Sequence, residues 1–334
     1  MSGEMENEVS VIVPVYNGGE KFLQCIEALS VCDPAPLEVI VVADGESDGV
    51  WREAEKYGFR TFRFDKNNGP ALARNKGAEL AVGNILFFTD ADVVVQSDTI
   101  GRIVEVYKKY PDISAVIGSY DDQPTEQNFL SQYKNLMNHY VHQAGNEEAF
   151  TFWGACGSIR KDVFFDAGMF DVSYGKAMIE DIELGYRLKN RGFKIRLEKT
   201  LLVKHLKKWE IKSLLKADIF YRALPWSELI LKEKSLINDL NLKGENRASA
   251  LLVFLMLLFA LIFFSTGYFS LLIPASILML LILNRDFYMF YYKKRGGVFA
   301  LKTIPWHWLY YFYSSISLGF VFVRYKLLGK LKND

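Results

Sequence analysis

Cysteine and histidine are scarce in this chain of 334 residues, which holds three of the first and four of the second. Cys25, Cys32 and Cys156 stand in no metal-ligand spacing and form no even set, so neither a cysteine-based metal site nor a disulfide framework is expected. Excess charge of either sign is also lacking. The 40 basic residues face 39 acidic ones, leaving no bulk attraction to nucleic acid. Met1 to Glu8 is acidic without an apolar stretch, so no secretory signal is expected and the first part of the chain should stay cytoplasmic. No Gly-rich phosphate loop with a basic residue follows the first apolar run, where Pro14-Val15-Tyr16-Asn17-Gly18-Gly19 stands instead, and this disfavours a nucleotidyltransferase.

What is present begins with buried-strand patterns. Glu8 to Val15 and Glu38 to Val42 are nearly continuous runs of β-branched residues, and the stretch between them carries Phe22 and Ile26 at helical spacing. Strand, helix and strand of this kind predict a parallel pair covered on both faces, with a right-handed crossover that brings the strand C-termini to one edge. Ligands of open α/β sheets bind at that edge, so Tyr16, Asp44 and Asp90 are expected to converge there. A third apolar run, Asn84 to Thr89, ends in Asp90-Ala91-Asp92. Two carboxylates two residues apart at a strand end suit a hard cation bridging a diphosphate, although taken alone they read first as an Asp-rich turn. Gly69 to Ala78 opens a helix with Pro70 near its start and Arg74 in its early turns, a segment able to face phosphate or simply to cap a surface helix.

Taken together, Val11-Ile12-Val13-Pro14-Val15-Tyr16-Asn17, Ala43-Asp44-Gly45-Glu46-Ser47-Asp48-Gly49, Gly69 to Gly77 and Thr89-Asp90-Ala91-Asp92 resemble the family 2 glycosyltransferases of the GT-A fold. Downstream, Gly154 to Arg160, Gly168 to Asp171 and Glu180-Asp181-Ile182-Glu183 resemble that family's acceptor block and catalytic acidic pair, so the likeness spans about residues 8–210. The resemblance implies an α/β fold, a Rossmann-like mixed sheet that binds a nucleotide-diphosphate sugar. It assigns Pro14, Tyr16 and Asp44 to the uracil and ribose, Arg74 to nucleotide positioning, Asp90 to ribose or metal, and Asp92 to the metal as principal ligand. A divalent cation, Mg2+ or Mn2+, is the implied cofactor. Asp181 would be the base that deprotonates the acceptor hydroxyl, implying direct displacement with inversion. Trp153, Gly154 and Glu180 would lie on the acceptor side, and His205, ending Leu201-Leu202-Val203-Lys204-His205, is a candidate further metal ligand. One departure is Ala43, where the family carries a second acidic residue before Asp-Gly. From the residues alone, Glu180-Asp181 reads first as an acidic helix start, and Trp153 equally as a packed core aromatic.

The C-terminal third meets a different solvent. No charged residue occurs between Arg247 and Arg285, a run long enough for two short spans of a bilayer, which needs about 20 apolar residues per helix. The expected divisions are a catalytic domain over 1–205, interfacial amphipathic helices over 206–247 and a transmembrane region over 248–334. Within the last, spans are expected near 248–265, 268–284 and 304–323, with a break at Ser265-Thr266-Gly267. Lys204, Lys207, Lys208, Lys212, Lys216, Arg222, Lys232 and Lys234 alternate with Trp209, Ile211, Leu214, Leu215, Ile219, Phe220 and Trp226, predicting helices that lie against anionic lipid. Lys293, Lys294, Arg295 and Lys302 favour a cytoplasmic loop after the second span. Arg324, Lys326, Lys330 and Lys332 would then sit against that rule if the third span crossed. The sequence thus describes a multi-pass membrane protein with a cytoplasmic catalytic domain. Its partners would be a nucleotide-diphosphate sugar, a lipid-linked or glycan acceptor and membrane lipids, with oligomerisation left open. A non-catalytic membrane scaffold with a decayed sugar-nucleotide domain is the alternative, resting on Ala43.

Overall fold

The computed structural model describes residues 8–45, 48–233 and 240–329. Glu46 and Ser47 of the Asp44-Gly45 turn, the acidic start before Glu8, and Lys234, Lys330 and Lys332 lie outside the described residues. The chain forms two compact units, divided between Trp209 and Glu210.

The first unit is built on a nine-stranded mixed sheet. The strands β1 (Val9–Val15), β2 (Glu38–Asp44), β3 (Arg60–Phe64) and β4 (Ile85–Thr89) are parallel in the order β3-β2-β1-β4. The helices α1 (Gly19–Ser30) and α2 (Pro70–Leu80) make the crossovers β1 to β2 and β3 to β4. Alternation along β1 splits the core in two. Val9, Val11, Val13 and Val15 pack with Phe22, Cys25 and Ile26 of α1 on one face, while Ile12 packs with Ala73 and Ala78 of α2 on the other. After β4 the chain turns through Asp90-Ala91-Asp92 into β5 (Val93–Val95), which leaves the parallel half, and continues through α3 (Thr99–Lys109), β6 (Ala115–Tyr120) and α4 (Phe129–Gln143). Then follow β7 (Glu148–Ala149), β8 (Cys156–Arg160), α5 (Lys161–Asp166), α6 (Glu180–Asn190) and β9 (Ile195–His205). The strand β8 runs antiparallel between β4 and β6, and β5 pairs antiparallel with the end of β9, so that Val93 is opposite His205.

The second unit is helical. It begins with α7 (Ile211–Lys216), a π-turn over Ala217–Ala223 and α8 (Leu224–Glu233). The buried positions depart from the expected apolar stripe. Leu214 is buried, but the next inward position is Asp218, whose carboxylate accepts a hydrogen bond from Tyr313 Oη at 2.6 Å, while Ile211 is exposed. The helix α9 (Gly244–Thr266) ends where the break was expected, with Gly267 in the left-handed region at φ 76°. At 23 residues it is about 35 Å long, enough for a bilayer core. The second expected span folds as α10 (Leu272–Leu283), which bends by 67° into α11 (Arg285–Arg295). The third lies within α12 (Gly297–Leu328). Among the described residues, one helix is long and apolar enough to cross a membrane, or two if the bent pair is one span. The helix α12 is not among them, and its first half carries polar aromatics that hydrogen-bond inward. Trp308 Nε1 donates to Tyr288 Oη at 3.1 Å and Tyr311 Oη to Asn284 Oδ1 at 2.7 Å.

Candidate active site

Parallel pairing sets the ends of β1, β2 and β4 side by side. Tyr16 leaves β1 with 55% of its surface exposed, whereas Pro14 is buried within the strand opposite Val42. Asp44 ends β2 buried, and both of its carboxylate oxygens are in use. Oδ1 accepts the Asn68 N–H at 2.8 Å and Oδ2 the Gly69 N–H at 2.7 Å. These bonds tie the turn before α2 to the sheet edge. Gly45, at φ 71°, makes the close approach possible, since a Cβ there would fall 2.2 Å from the Asn67 backbone nitrogen. Exchanging Asp44 for Asn turns one acceptor oxygen into an NH2 group facing a backbone N–H. The expected loss is about 1–3 kcal/mol, seen as a lower thermal midpoint of the purified protein.

Arg74, in the second turn of α2, faces carboxylates. Its Nη1 donates to Glu180 Oε1 at 2.8 Å and its Nη2 to Asp90 Oδ1 at 2.6 Å, with the guanidinium over the Phe170 ring. Burial acts against its charge, but Asp90 and Glu180 outweigh that and hold Arg74 protonated above even its ordinary range. Glu180 and Asp181 share the first turn of α6 but point to different partners. Glu180 is buried and takes a second bond from the Met178 N–H at 2.8 Å. Asp181 is half-buried. Its Oδ2 accepts the Gly154 N–H at 3.0 Å and its Oδ1 the Ile182 N–H at 2.8 Å. Burial, reinforced by the neighbouring Glu180 charge, pushes the Asp181 carboxyl up to about 6. Gly154 is pressed against Arg74, where a Cβ would lie 3.2 Å from the guanidinium carbon. Trp153 is partly buried, edge-on to Tyr120 and His142, so its packing role is the one on display.

Asp90 and Asp92, two residues apart, take different partners. Asp90 turns to Arg74, and Asp92 turns to His205, whose Nε2 lies 3.6 Å from Asp92 Oδ2. The β5–β9 ribbon causes this, since the Leu206 N–H donates to the Asp92 carbonyl at 2.8 Å and Val93 pairs with His205. Burial would raise the Asp92 carboxyl, but His205, Lys207 and Lys21 hold it well below the usual carboxylate range. An anionic oxygen and an imidazole nitrogen facing each other across this gap suit a divalent cation. Among the described residues no set of three or more His, Cys, Asp or Glu side chains is arranged to hold a metal. Asp92 and His205 would therefore supply two ligands, leaving positions for diphosphate oxygens and water. Sequence reasoning missed Asn135, whose Oδ1 lies 2.8 Å from His205 Nδ1.

A parallel sheet edge carrying these acidic turns, closed by an antiparallel ribbon, defines a GT-A fold. The solved Mannosyltransferase PcManGT from Pyrobaculum calidifontis in complex with GDP-Man and Mn2+ superposes with a TM-score of 0.57 at 15% identity, over 93% of this chain and 86% of that one. Residues 10–166 match the model of Glycosyl transferase family 2. The matched stretch takes up most of the N-terminal unit, which is similar to the family 2 glycosyltransferases. Among curated relatives, the glucosyl-dolichyl phosphate glucuronosyltransferase of Haloferax volcanii is 28% identical over 180 residues, 51% of this chain and 58% of that protein. The poly-beta-1,6-N-acetyl-D-glucosamine synthase of Staphylococcus aureus is 25% identical over 203 residues, 57% of this chain and 48% of that protein. The chain thus spans about half the length of these relatives.

Proposed function

We propose that this protein is a membrane-anchored, metal-dependent, inverting glycosyltransferase that moves a sugar from a nucleoside diphosphate donor, a uridine diphosphate sugar, to a lipid-linked acceptor at the cytoplasmic face. The observation that carries the reading is the placement of Asp181. Arg74 joins Glu180, the residue beside Asp181, directly to Asp90, so the raised carboxylate neighbours the Asp90-Ala91-Asp92 turn. An alcohol must lose its proton as it attacks, and Asp181, fixed by the Gly154 and Ile182 N–H groups, is the group to receive it. Asp92 and His205 would hold the cation, which when bound neutralises charge on the departing diphosphate. Tyr16 offers an exposed aromatic at the donor edge, while Asp44 acts by fixing the turn that opens α2.

Two things support the membrane side. The helix α9 has the length of a span, and the Haloferax relative is named for glucosyl-dolichyl phosphate, a sugar on a lipid carrier. The test uses membranes from cells expressing the full chain, supplied with radiolabelled nucleotide sugars and either polyprenyl-linked or free soluble sugar acceptors. Label should enter the organic phase from one uridine diphosphate sugar, only with Mn2+ or Mg2+. Equal labelling of free sugar would remove the lipid acceptor. Uridine diphosphate that fails to bind in calorimetry with or without Mn2+ would leave a non-catalytic scaffold.

A further inference from the structure

We infer that Asn135, on α4, is a positioning residue that sets the tautomer of His205 so that its Nε2 lone pair, opposite Asp92, is available to a divalent cation. The inference rests on the metal-dependent reading above and concerns a residue outside every motif of the family resemblance. His205 is buried, and its ring lies flat on Tyr120, with centroids 4.5 Å apart and planes 4° apart, which fixes where its two nitrogens point. One of them, Nδ1, lies 2.8 Å from Asn135 Oδ1, and a carbonyl oxygen can only accept, so the ring proton sits on Nδ1. In the neutral ring this leaves the Nε2 lone pair facing Asp92 Oδ2 at 3.6 Å. The spacing is too long for a good hydrogen bond and short enough for one cation to touch both.

Asn135 is 1% exposed, and its Nδ2 has no hydrogen-bond partner among the described residues. A buried amide that leaves its own donor idle while its oxygen engages an imidazole is oriented for the imidazole, at a cost a merely structural residue would not repay. The helix supports this placement. Ser131 Oγ, one turn earlier, accepts the Trp209 N–H at 2.7 Å and anchors α4 to the segment following His205.

The test is Mn2+ binding, followed by electron paramagnetic resonance of free Mn2+ during titration of the full-length protein in detergent. No turnover is needed. The Asn135→Leu variant removes the acceptor and should weaken Mn2+ about 10–100-fold, whereas Asn135→Asp, which can only accept, should stay within about threefold of the parent. Thermal melts of each variant report folding. Should Asn135→Leu fail to fold, Asn135→Asp decides alone, because reversed amide polarity would make it lose affinity. Parental affinity in a folded Asn135→Leu, or a loss in Asn135→Asp as large as in Asn135→Leu, overturns the inference while leaving the metal reading intact. Absence of Mn2+ binding by the parent protein overturns the metal reading and the inference with it.

Discussion

Asp181→Asn lowers kcat by about 10²–10⁴-fold with little change in KM for the donor, because the amide keeps an oxygen for the Gly154 N–H but cannot accept the acceptor's proton. The parent enzyme carries the matching signature in pH. In the proposed mechanism the active form is the carboxylate, and its pKa is pushed up to about 6 by burial and by Glu180, against the Gly154 N–H and Arg74. Protonation on the acid side therefore removes the base, and kcat/KM falls by about tenfold per pH unit below that value, with a plateau above it. Glu180→Gln removes the neighbouring charge and moves the limb toward lower pH. A flat profile from pH 5 to about 8, or near-parental turnover in Asp181→Asn, would show that another group carries the proton.

Arg74→Met produces the largest loss of stability. The guanidinium is buried between Asp90 and Glu180, so its removal strands the buried Glu180 without a counter-charge, a change that costs about 3–5 kcal/mol. In a unit of this size the thermal midpoint falls by on the order of 10 °C. The double variant Arg74→Met/Glu180→Gln recovers part of that loss, since a neutral amide no longer needs a cation. Equal melting of Arg74→Met and the parent would mean that the pair is not held in water as described. Arg74 was expected from the family resemblance to position the nucleotide. The structure gives its two terminal nitrogens to the carboxylates of Glu180 and Asp90.

Much of the sheet edge was legible because the parallel strands bury both faces and leave continuous β-branched runs. The ends of β1, β2 and β4 fell where Pro14-Val15-Tyr16, Asp44-Gly45 and Asp90-Ala91-Asp92 placed them. The partners of those residues were not legible. Arg74 and Glu180 are 106 positions apart, and nothing local announces their contact. Asp90 and Asp92 looked like a matched pair because strand alternation puts them on one side, yet the antiparallel ribbon of β5 and β9 draws only Asp92 to His205. Asn135 was hidden for another reason. Its helix turns Ser131, Gln132, Lys134 and Asn135 inward, and a polar helix face in sequence has the pattern of a solvated one. In the second unit, apolar length predicted α9 well. In α12, Trp308 bonds to Tyr288 and Tyr311 to Asn284, partners that nothing local in the sequence announces.

All three cysteines are buried, and burial raises each thiol, Cys32 to about 11 and Cys156 to about 12, with Cys25 higher still. At neutral pH they are thiols shut away from reagents, so the natural chain offers a silent background to maleimides. A single reporter such as Tyr268→Cys, placed in the exposed connection between α9 and α10, can therefore be labelled in intact cells without first stripping the native sulfhydryls, and an impermeant reagent will tell which side of the bilayer that connection occupies.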